Sequence, residues 1–199
     1  MSALTLEVSE HRDRLGLKGP GAAEWLAAQG IPAPSAPNTW TRAEKSDNAA
    51  ALWVARLGAS EFFLEEGAGG TALRQIAPSL DEPPPGVYPV IREDWAFVLG
   101  GETVHEVLAQ VCNVNFATLP LDSHPVIMTL MIGVAVLVLP QNEPGERHGT
   151  ADRGGAMGRG VTAGRQYRIW CDPTFGPYMG ESLGAVVIEC GGSYRGVSG

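Results

Sequence analysis

The side chains best suited to catalysis or metal binding are four histidines and three cysteines, and they are scattered along the chain. A protein metal site requires several histidine, cysteine or carboxylate ligands at short, defined spacings. None of the histidines has such a set of neighbours: His11, His105, His124 and His148. We therefore predict that no residue of this chain ligates a metal ion.

The single residues have structural interpretations. His105 follows a predicted helix start beside Glu106, which favours an exposed helical face. His124 precedes Pro125 and is predicted to orient a loop. A nucleophilic pair between Cys171 and a histidine stays open, although no motif supports it. We predict no catalytic residue.

The cysteines are Cys112, Cys171 and Cys190, an odd number without a Cys-x-x-Cys pair. Disulfides are rare in reducing compartments, and a free cysteine behaves as a small buried hydrophobic residue. Three free thiols are expected, in a cytoplasmic protein.

A glycine-rich segment, 154–160, follows a predicted strand in the manner of a phosphate-binding loop. Such loops bring amides and a helix N-terminus onto phosphate through Gly-x-Gly-x-x-Gly or Gly-Lys-Ser/Thr spacing. Neither spacing is present, so we predict no cofactor-binding residue. The surrounding segment, 141–165, holds seven glycines and four arginines. It is predicted to be a mobile loop because it has almost no large apolar side chain.

Two apolar segments predict the elements that position these residues. Thr103 and Glu106 have the spacing of a capping box, so a helix is predicted to begin at Thr103. The run 126–139 is apolar at both alternating sets of positions, which predicts one central strand covered on both faces. Gly133 interrupts this run and is typical of a bulge or a close backbone approach.

The composition and net charge disfavour two classes of function, nucleic-acid binding and membrane association. The chain has 199 residues, of which 44% are hydrophobic and 18% charged, as in a folded soluble protein. Its formal charge of −8 and its lack of a dense Lys/Arg cluster disfavour nucleic-acid binding. The N-terminal residues lack the apolar core of a signal peptide, and the longest apolar run is shorter than the ~20 residues of a membrane helix. We expect no membrane association.

Local patterns predict the remaining elements. Proline-rich 78–89 is the best candidate boundary, because proline cannot join a sheet interior, and 31–48 is predicted to be a surface connection. The strands are predicted at 4–8, 14–17, 52–57, 61–64, 90–91, 96–99 and 166–171, and the other helices at 21–29, 71–77 and 177–189.

The order of these elements repeats. Segment 13–29 resembles segment 94–110 at a constant offset that aligns Asp13 with Asp94, and the two aspartates are predicted to fix equivalent glycine turns. We predict an α+β fold of mainly antiparallel sheets with helices on one face, built from two related βαββα units. The units are 1–78 and 79–190, the second containing loop 141–165, and a flexible tail covers 191–199.

Five segments of the sequence can be compared with a known family: Leu17–Leu26, the hairpin from Arg56 to Phe62, the helix end Leu108–Asn113, the run Val126–Leu139 and the motif Tyr167–Pro173. Together they resemble the gamma subunit of heterotetrameric sarcosine oxidase, over most of the chain outside its loops. The pair Met179 and Gly180 departs from the bulkier pair usual there.

The resemblance implies an accessory subunit with the folate-binding aminomethyltransferase-like fold, in a complex that oxidatively demethylates sarcosine. Its alpha and beta subunits are expected to carry FAD, FMN, NAD and tetrahydrofolate, and its delta subunit zinc. This chain would hold none of these cofactors and would pack against the alpha subunit. Two alternatives are the equivalent subunit of N-methylglutamate dehydrogenase, or of another N-methyl amino acid demethylase, and a stand-alone folate-binding protein.

Overall fold

Short strands and four helices alternate along the chain, in a computed structural model that describes residues 3–9, 12–43, 50–142 and 165–196. The elements are β1 (Thr5–Val8), β2 (Arg14–Lys18), α1 (Ala22–Ala28), β3 (Thr39–Ala43), β4 (Leu52–Arg56), β5 (Glu61–Glu66), α2 (Ala72–Ile76), β6 (Tyr88–Val90), β7 (Trp95–Gly101), α3 (Val104–Val111), β8 (Ile127–Met131), β9 (Val134–Asn142), β10 (Arg165–Cys171), α4 (Gly176–Glu189) and β11 (Ser193–Arg195).

The strands form two sheets. The first sheet has the order β3-β4-β5-β2-β6 and the second β11-β1-β7-β10-β9-β8. Every strand pair is antiparallel except β1 with β11. The predicted α+β class with mainly antiparallel sheets is therefore confirmed. No helix within the described ranges is long and apolar enough to cross a membrane.

Three apolar clusters stack the elements into layers. One cluster joins α1 and α2 to the outer face of the first sheet through residues such as Leu26, Ile76 and Phe62. Another joins α3 and α4 to the second sheet. A third lies between the sheets and contains Trp53 and Trp170. The resulting order is helices, sheet, sheet, helices, so each sheet is covered on both faces over most of its area.

The two halves have the same topology. The order β3-β4-β5-β2-β6 in the first sheet matches β8-β9-β10-β7-β1 in the second. Gly19 and Gly101 both have positive φ, 112° and 124°, three residues before a helix begins. This pairing differs by one residue from the offset that aligns Asp13 with Asp94. Each half has three strands between its helices, because β3 lies within the predicted surface connection 31–48.

Each half also contributes one strand to the sheet of the other half. β1 precedes the first half in sequence but pairs with β7 in the second sheet, while β6 pairs with β2 in the first. The sheets therefore do not divide at residue 78, where the proline-rich segment begins. β11 occupies part of the predicted flexible tail 191–199 and pairs with β1. Most of the predicted mobile loop, 143–164, lies outside the described residues.

The prediction of one central strand over 126–139 is wrong. The run forms a hairpin, in which β8 and β9 pair around a tight turn at Ile132 and Gly133. Both turn residues have positive φ, 48° and 80°, as a two-residue hairpin turn requires. β8 is an edge strand of the second sheet. The apolar run conceals this turn because only Gly133 differs in character from a strand residue.

The predicted capping box is also absent from the structure. Thr103 does occupy the residue before α3, but its side chain makes no capping hydrogen bond. Its carbonyl oxygen instead accepts a hydrogen bond from the Glu106 amide at 2.9 Å. The helix begins where predicted, because Val104, Val107, Leu108 and Val111 bury one face.

Gly133→Ala tests the turn. At a φ of 80° a Cβ is strained even though no atom lies within 4 Å of it, so we expect the free energy of unfolding to fall by about 1 kcal/mol. The matched control is Gly58→Ala, where φ is not positive and the new Cβ meets its nearest atom at 3.9 Å. Urea denaturation measures both; equal effects would contradict the assigned turn.

Candidate functional site

Glu65 is a charged residue buried between the two sheets. Its side chain is fully buried and accepts three hydrogen bonds: from Arg14 Nε at 2.7 Å, Arg168 Nη1 at 2.8 Å and Trp170 Nε1 at 2.7 Å. Arg14 lies opposite Glu65 in the β2–β5 register, whereas Arg168 and Trp170 come from β10 in the second sheet. The carboxylate therefore joins the two halves of the molecule.

Positive charge exceeds negative charge around this carboxylate. The Arg168 guanidinium stacks on Trp53 at 3.9 Å from the ring centroid, and Arg12 and Arg42 lie 5.9 and 5.6 Å from the same ring. Burial is the main cause that lowers the pKa of Arg168 to about 10; Glu65 opposes this shift and the nearby arginines add to it. Arg168 stays charged at neutral pH, so Glu65 is the counter-ion that makes its burial tolerable.

The Glu65 network was not among the predicted site residues. The available signal is the presence of charged residues in otherwise apolar strands: Glu65 and Glu66 in Phe62–Glu66, and Arg168 in Tyr167–Cys171. All three donors are directed to one carboxylate and the side chains are buried, which indicates a structural role. No sequence rule pairs residues that lie 103 positions apart.

His105 lies beside a cleft instead of on the predicted exposed face. Its Nε2 is 2.6 Å from the hydroxyl oxygen of Tyr167, whose side chain is fully buried. Burial, and then the charge of Arg165, lower the pKa of His105, while burial raises the pKa of Tyr167 against the opposing effect of Arg165. At neutral pH this hydrogen bond therefore joins a neutral imidazole to a protonated tyrosine hydroxyl, and the tautomer of His105 decides which of the two donates.

The cleft itself has a volume of about 490 Å³ between α3 and the loop that follows it. Arg165 donates to the carbonyl oxygens of Phe116 and Ala117 and so holds this loop against β10. The lining includes the side-chain amides of Asn113 and Asn115, and no carboxylate of the described residues borders it. The arrangement suits a neutral or weakly polar ligand better than a cation.

The cysteines are free, and none of them is hydrogen-bonded to a histidine of the described residues. Cys112 and Cys171 are buried and Cys190 is half-buried. Burial, followed by the charges of Asp94 and Asp172, raises the pKa of Cys171 to about 11, so its thiol is protonated at neutral pH. The thiolate is the reactive form of cysteine, and the open possibility of a Cys171 nucleophile therefore gains no support.

The remaining predicted positions, His124, Asp13 and Asp94, make contacts that stabilise the fold. His124 has a φ of 47°, its carbonyl oxygen accepts from the Trp40 amide at 2.9 Å, and the two rings lie 4.7 Å apart. Asp13 pairs with Arg74 at 2.7 Å, and Asp94 lies 3.6 Å from Arg92. Neither aspartate side chain bonds a glycine turn within the described residues.

Three features considered in the sequence lie in parts of the chain that the structure does not describe. His11, His148 and the glycine segment 154–160 lie outside the described residues. Within the described part of the chain, no group of three or more histidine, cysteine, aspartate or glutamate side chains is arranged to hold a metal ion.

An apolar surface lies on β8. Met128 and Leu130 are 55% and 61% exposed, and they pair with Leu137 and Ala135 of β9. Leu139, on the same face of β9, belongs to the core between the sheets. The surface formed by Met128, Leu130 and Ala135, which we call the β8 patch, therefore continues the inner face of the second sheet beyond the area covered by the first.

The comparisons with known proteins establish the fold. No family model and no curated protein sequence matches this chain. Its structure is similar to a chain of heterotetrameric sarcosine oxidase from Corynebacterium sp. U-96 in complex with pyrrole 2-carboxylate, with a TM-score of 0.64 and 22% identity over 94% of this chain and 85% of that one.

A second similar structure is the glycine cleavage system aminomethyltransferase T from Bartonella henselae. The TM-score is 0.63 at 16% identity, over 98% of this chain but only 48% of the other. The chain thus spans about half the length of that protein. It has the fold that these two structures share.

Glu65→Gln tests the buried network. Loss of the charge leaves Arg14 and Arg168 without their counter-ion, and we expect the free energy of unfolding to fall by about 3–5 kcal/mol. The control is Glu7→Gln, which breaks an exposed pair with Arg195 at 3.2 Å and is expected to cost less than about 1 kcal/mol. Similar costs in denaturant titrations would refute the structural role.

A pH dependence follows from His105. Its lowered pKa means that the folded state binds fewer protons than the unfolded chain near the ordinary value of 6.5. This contribution to stability is complete above pH 6.5 and is lost as pH falls through the folded-state value. The unfolding free-energy difference between wild type and His105→Gln should therefore decrease below pH 6.5. An NMR titration midpoint for His105 at or above 6.5 would contradict it.

Proposed function

We propose that this chain is a non-catalytic gamma-type subunit of a heterotetrameric sarcosine oxidase, which demethylates sarcosine to glycine with tetrahydrofolate as one-carbon acceptor. The observation that carries the proposal is the near end-to-end structural match with one chain of such an enzyme, covering 94% and 85% of the two chains. The match with the aminomethyltransferase covers only 48% of that protein. A subunit of similar size is therefore the better counterpart.

Two features of the chain support an assembly role. The Glu65 carboxylate accepts hydrogen bonds from Arg14, Arg168 and Trp170. Glu66 accepts hydrogen bonds from the backbone amides of Ala72 and Leu73 at the start of α2. The buried carboxylates are thus used for folding. The exposed β8 patch, in contrast, has the character of a surface that a partner covers.

The cofactors of such an enzyme would lie in the other chains. FAD, FMN, NAD, tetrahydrofolate and zinc would be held by the alpha, beta and delta subunits, with alpha in direct contact with this chain, in the cytoplasm. An equivalent place in N-methylglutamate dehydrogenase, or in another N-methyl amino acid demethylase, is the related alternative. The flavin-bearing partner, and not this chain, distinguishes these substrates.

A stand-alone folate-binding protein is the second candidate, favoured by the aminomethyltransferase-type fold and by the cleft of about 490 Å³ beside His105. A calorimetric titration of the isolated chain with tetrahydrofolate separates the two functions. Saturable binding at a 1:1 ratio supports the stand-alone function, whereas the assembly role expects no heat of binding.

Affinity capture tests the assembly role. We expect the tagged chain, expressed in its source organism, to co-purify with larger flavin-bearing chains in fixed proportion, and the eluate to oxidise sarcosine. The chain purified alone from a heterologous host is the control and should carry no flavin and no sarcosine oxidation. Capture of no flavoprotein, or turnover by the chain alone, would overturn the proposal.

A further inference from the structure

A second pocket, smaller than the cleft beside His105, lies where the two halves of the molecule meet. It has a volume of about 260 Å³ and is lined by Trp40 and Arg42 of β3, by residues of the turn 121–124 and by the end of β9. Ligand sites often lie where two domains or two parts of a fold meet. The volume is below the roughly 300–1,000 Å³ that is typical of sites for drug-sized ligands, so the pocket suits a small molecule.

The lining of this pocket carries one side chain of each charge. Arg42 supplies a guanidinium and Asp122 a carboxylate, and both residues are exposed. Asp122 makes no ion pair with any other residue that the structure describes. A ligand that fills so small a pocket lies near both charges at once. The complementary ligand therefore carries both signs of charge itself, as a zwitterion does.

Positive charge is concentrated around Arg42. Its guanidinium lies 5.6 Å from the centroid of the Trp53 ring, and the guanidinium groups of Arg12 and Arg168 lie 5.9 and 3.9 Å from the same ring. A guanidinium also offers two parallel N–H donors, which match the two oxygens of a carboxylate. We therefore expect the carboxylate of a ligand at the Arg42 side of the pocket and its ammonium group at Asp122.

Apolar side chains form much of the remaining lining. Trp40, Leu121 and Pro140 border the pocket, together with the side-chain amides of Gln141 and Asn142. A methyl group gains free energy when it moves from water to such a surface. The pocket therefore favours an amino acid with a short apolar group.

Backbone contacts hold the turn that carries Asp122. The carbonyl oxygen of His124 accepts a hydrogen bond from the Trp40 amide at 2.9 Å, and the Val126 amide donates to the carbonyl oxygen of Asn38 at 2.8 Å. The turn is thereby fixed to β3. His124 has a φ of 47°, which few residues other than glycine adopt and which is found at functional sites. The pocket is thus formed before a ligand enters, which reduces the ordering cost of binding.

We propose that this pocket binds a small zwitterionic α-amino acid with a short apolar group, its carboxylate at Arg42 and its ammonium group at Asp122. The site goes beyond the proposed assembly role, because all of its residues belong to this chain and no partner subunit is required. The site and the proposed function can therefore fail separately.

An NMR titration of the full-length chain with L-alanine and with sarcosine tests the site. These probes are isomers that carry the same methyl group on the α-carbon or on the nitrogen. Trp40 is the reporter, because its Nε1 is buried and has no hydrogen-bond partner among the described residues. Its indole signal should shift saturably with at least one isomer, whereas the indole signal of Trp95 on β7, outside the pocket, should not shift.

Half-ligands separate a zwitterion site from a site for a single charge. Propionate lacks the ammonium group of alanine and ethylammonium lacks its carboxylate, so each should bind the wild type at least tenfold more weakly. The absence of a saturable Trp40 shift with both isomers overturns the proposal. Binding of either half-ligand as tight as that of the amino acid overturns it too.

Substitutions that remove one charge each locate the site. Arg42→Gln and Asp122→Asn should each weaken binding at least tenfold. The matched controls are Arg74→Gln and Asp13→Asn, which break an exposed ion pair of 2.7 Å outside the pocket and should bind like the wild type. Wild-type affinity in both pocket variants overturns the proposal, and so does an equal loss in the controls. The half-ligand comparison uses the wild type, so the proposal stays testable if a variant does not fold. Failure of these titrations leaves the proposed function intact, and failure to capture a flavoprotein leaves this site intact.

Discussion

The burial of Glu65 between the sheets is the constraint on which the arrangement of the two halves depends. A carboxylate removed from water is tolerated only when charged or polar donors satisfy it. Here Arg14 comes from the same sheet and Arg168 and Trp170 from the other. Arg168 and Trp170 lie two residues apart on β10, so both point to the inner face. A displacement of one sheet over the other would separate these donors from the carboxylate.

The inner faces of the two halves differ in their residues although the halves have the same topology. Their sheets have the same strand order, but the inner face of the first half carries Trp53 under a guanidinium, and the equivalent position of the second carries Ala135 and Leu130. The crossing of β1 and β6 into the opposite sheets further joins the halves. Charged residues of both inner faces thus hold the halves together, Glu65 and Arg14 from the first and Arg168 from the second, and the apolar surface at Leu130 lies outside this network.

Local sequence patterns predicted most of the helices and strands but few of the contacts between them. The strands 14–18 and 165–171 and the helices 22–28 and 176–189 were predicted to within a few residues, because periodicity and proline or glycine boundaries are local signals. The hairpin in 126–139 was missed since a turn of Ile132 and Gly133 has no polar residue. The Glu65 network was missed because its partners are distant in sequence, and the helix face of His105 was misassigned because Tyr167 lies on another element.

The hairpin at 126–139, found where one central strand was predicted, also changes the functional interpretation of that segment. As one strand covered on both faces, it would contribute only to the core. As a hairpin, it has one strand, β9, inside the sheet and another, β8, at its edge, so alternate residues of the same apolar run become surface. Apolar side chains that stay exposed, as Met128 and Leu130 do, cost solubility in the free chain. That cost has a physical reason if this surface is covered in an assembly, which is why the most apolar segment of the sequence bears on association as much as on folding.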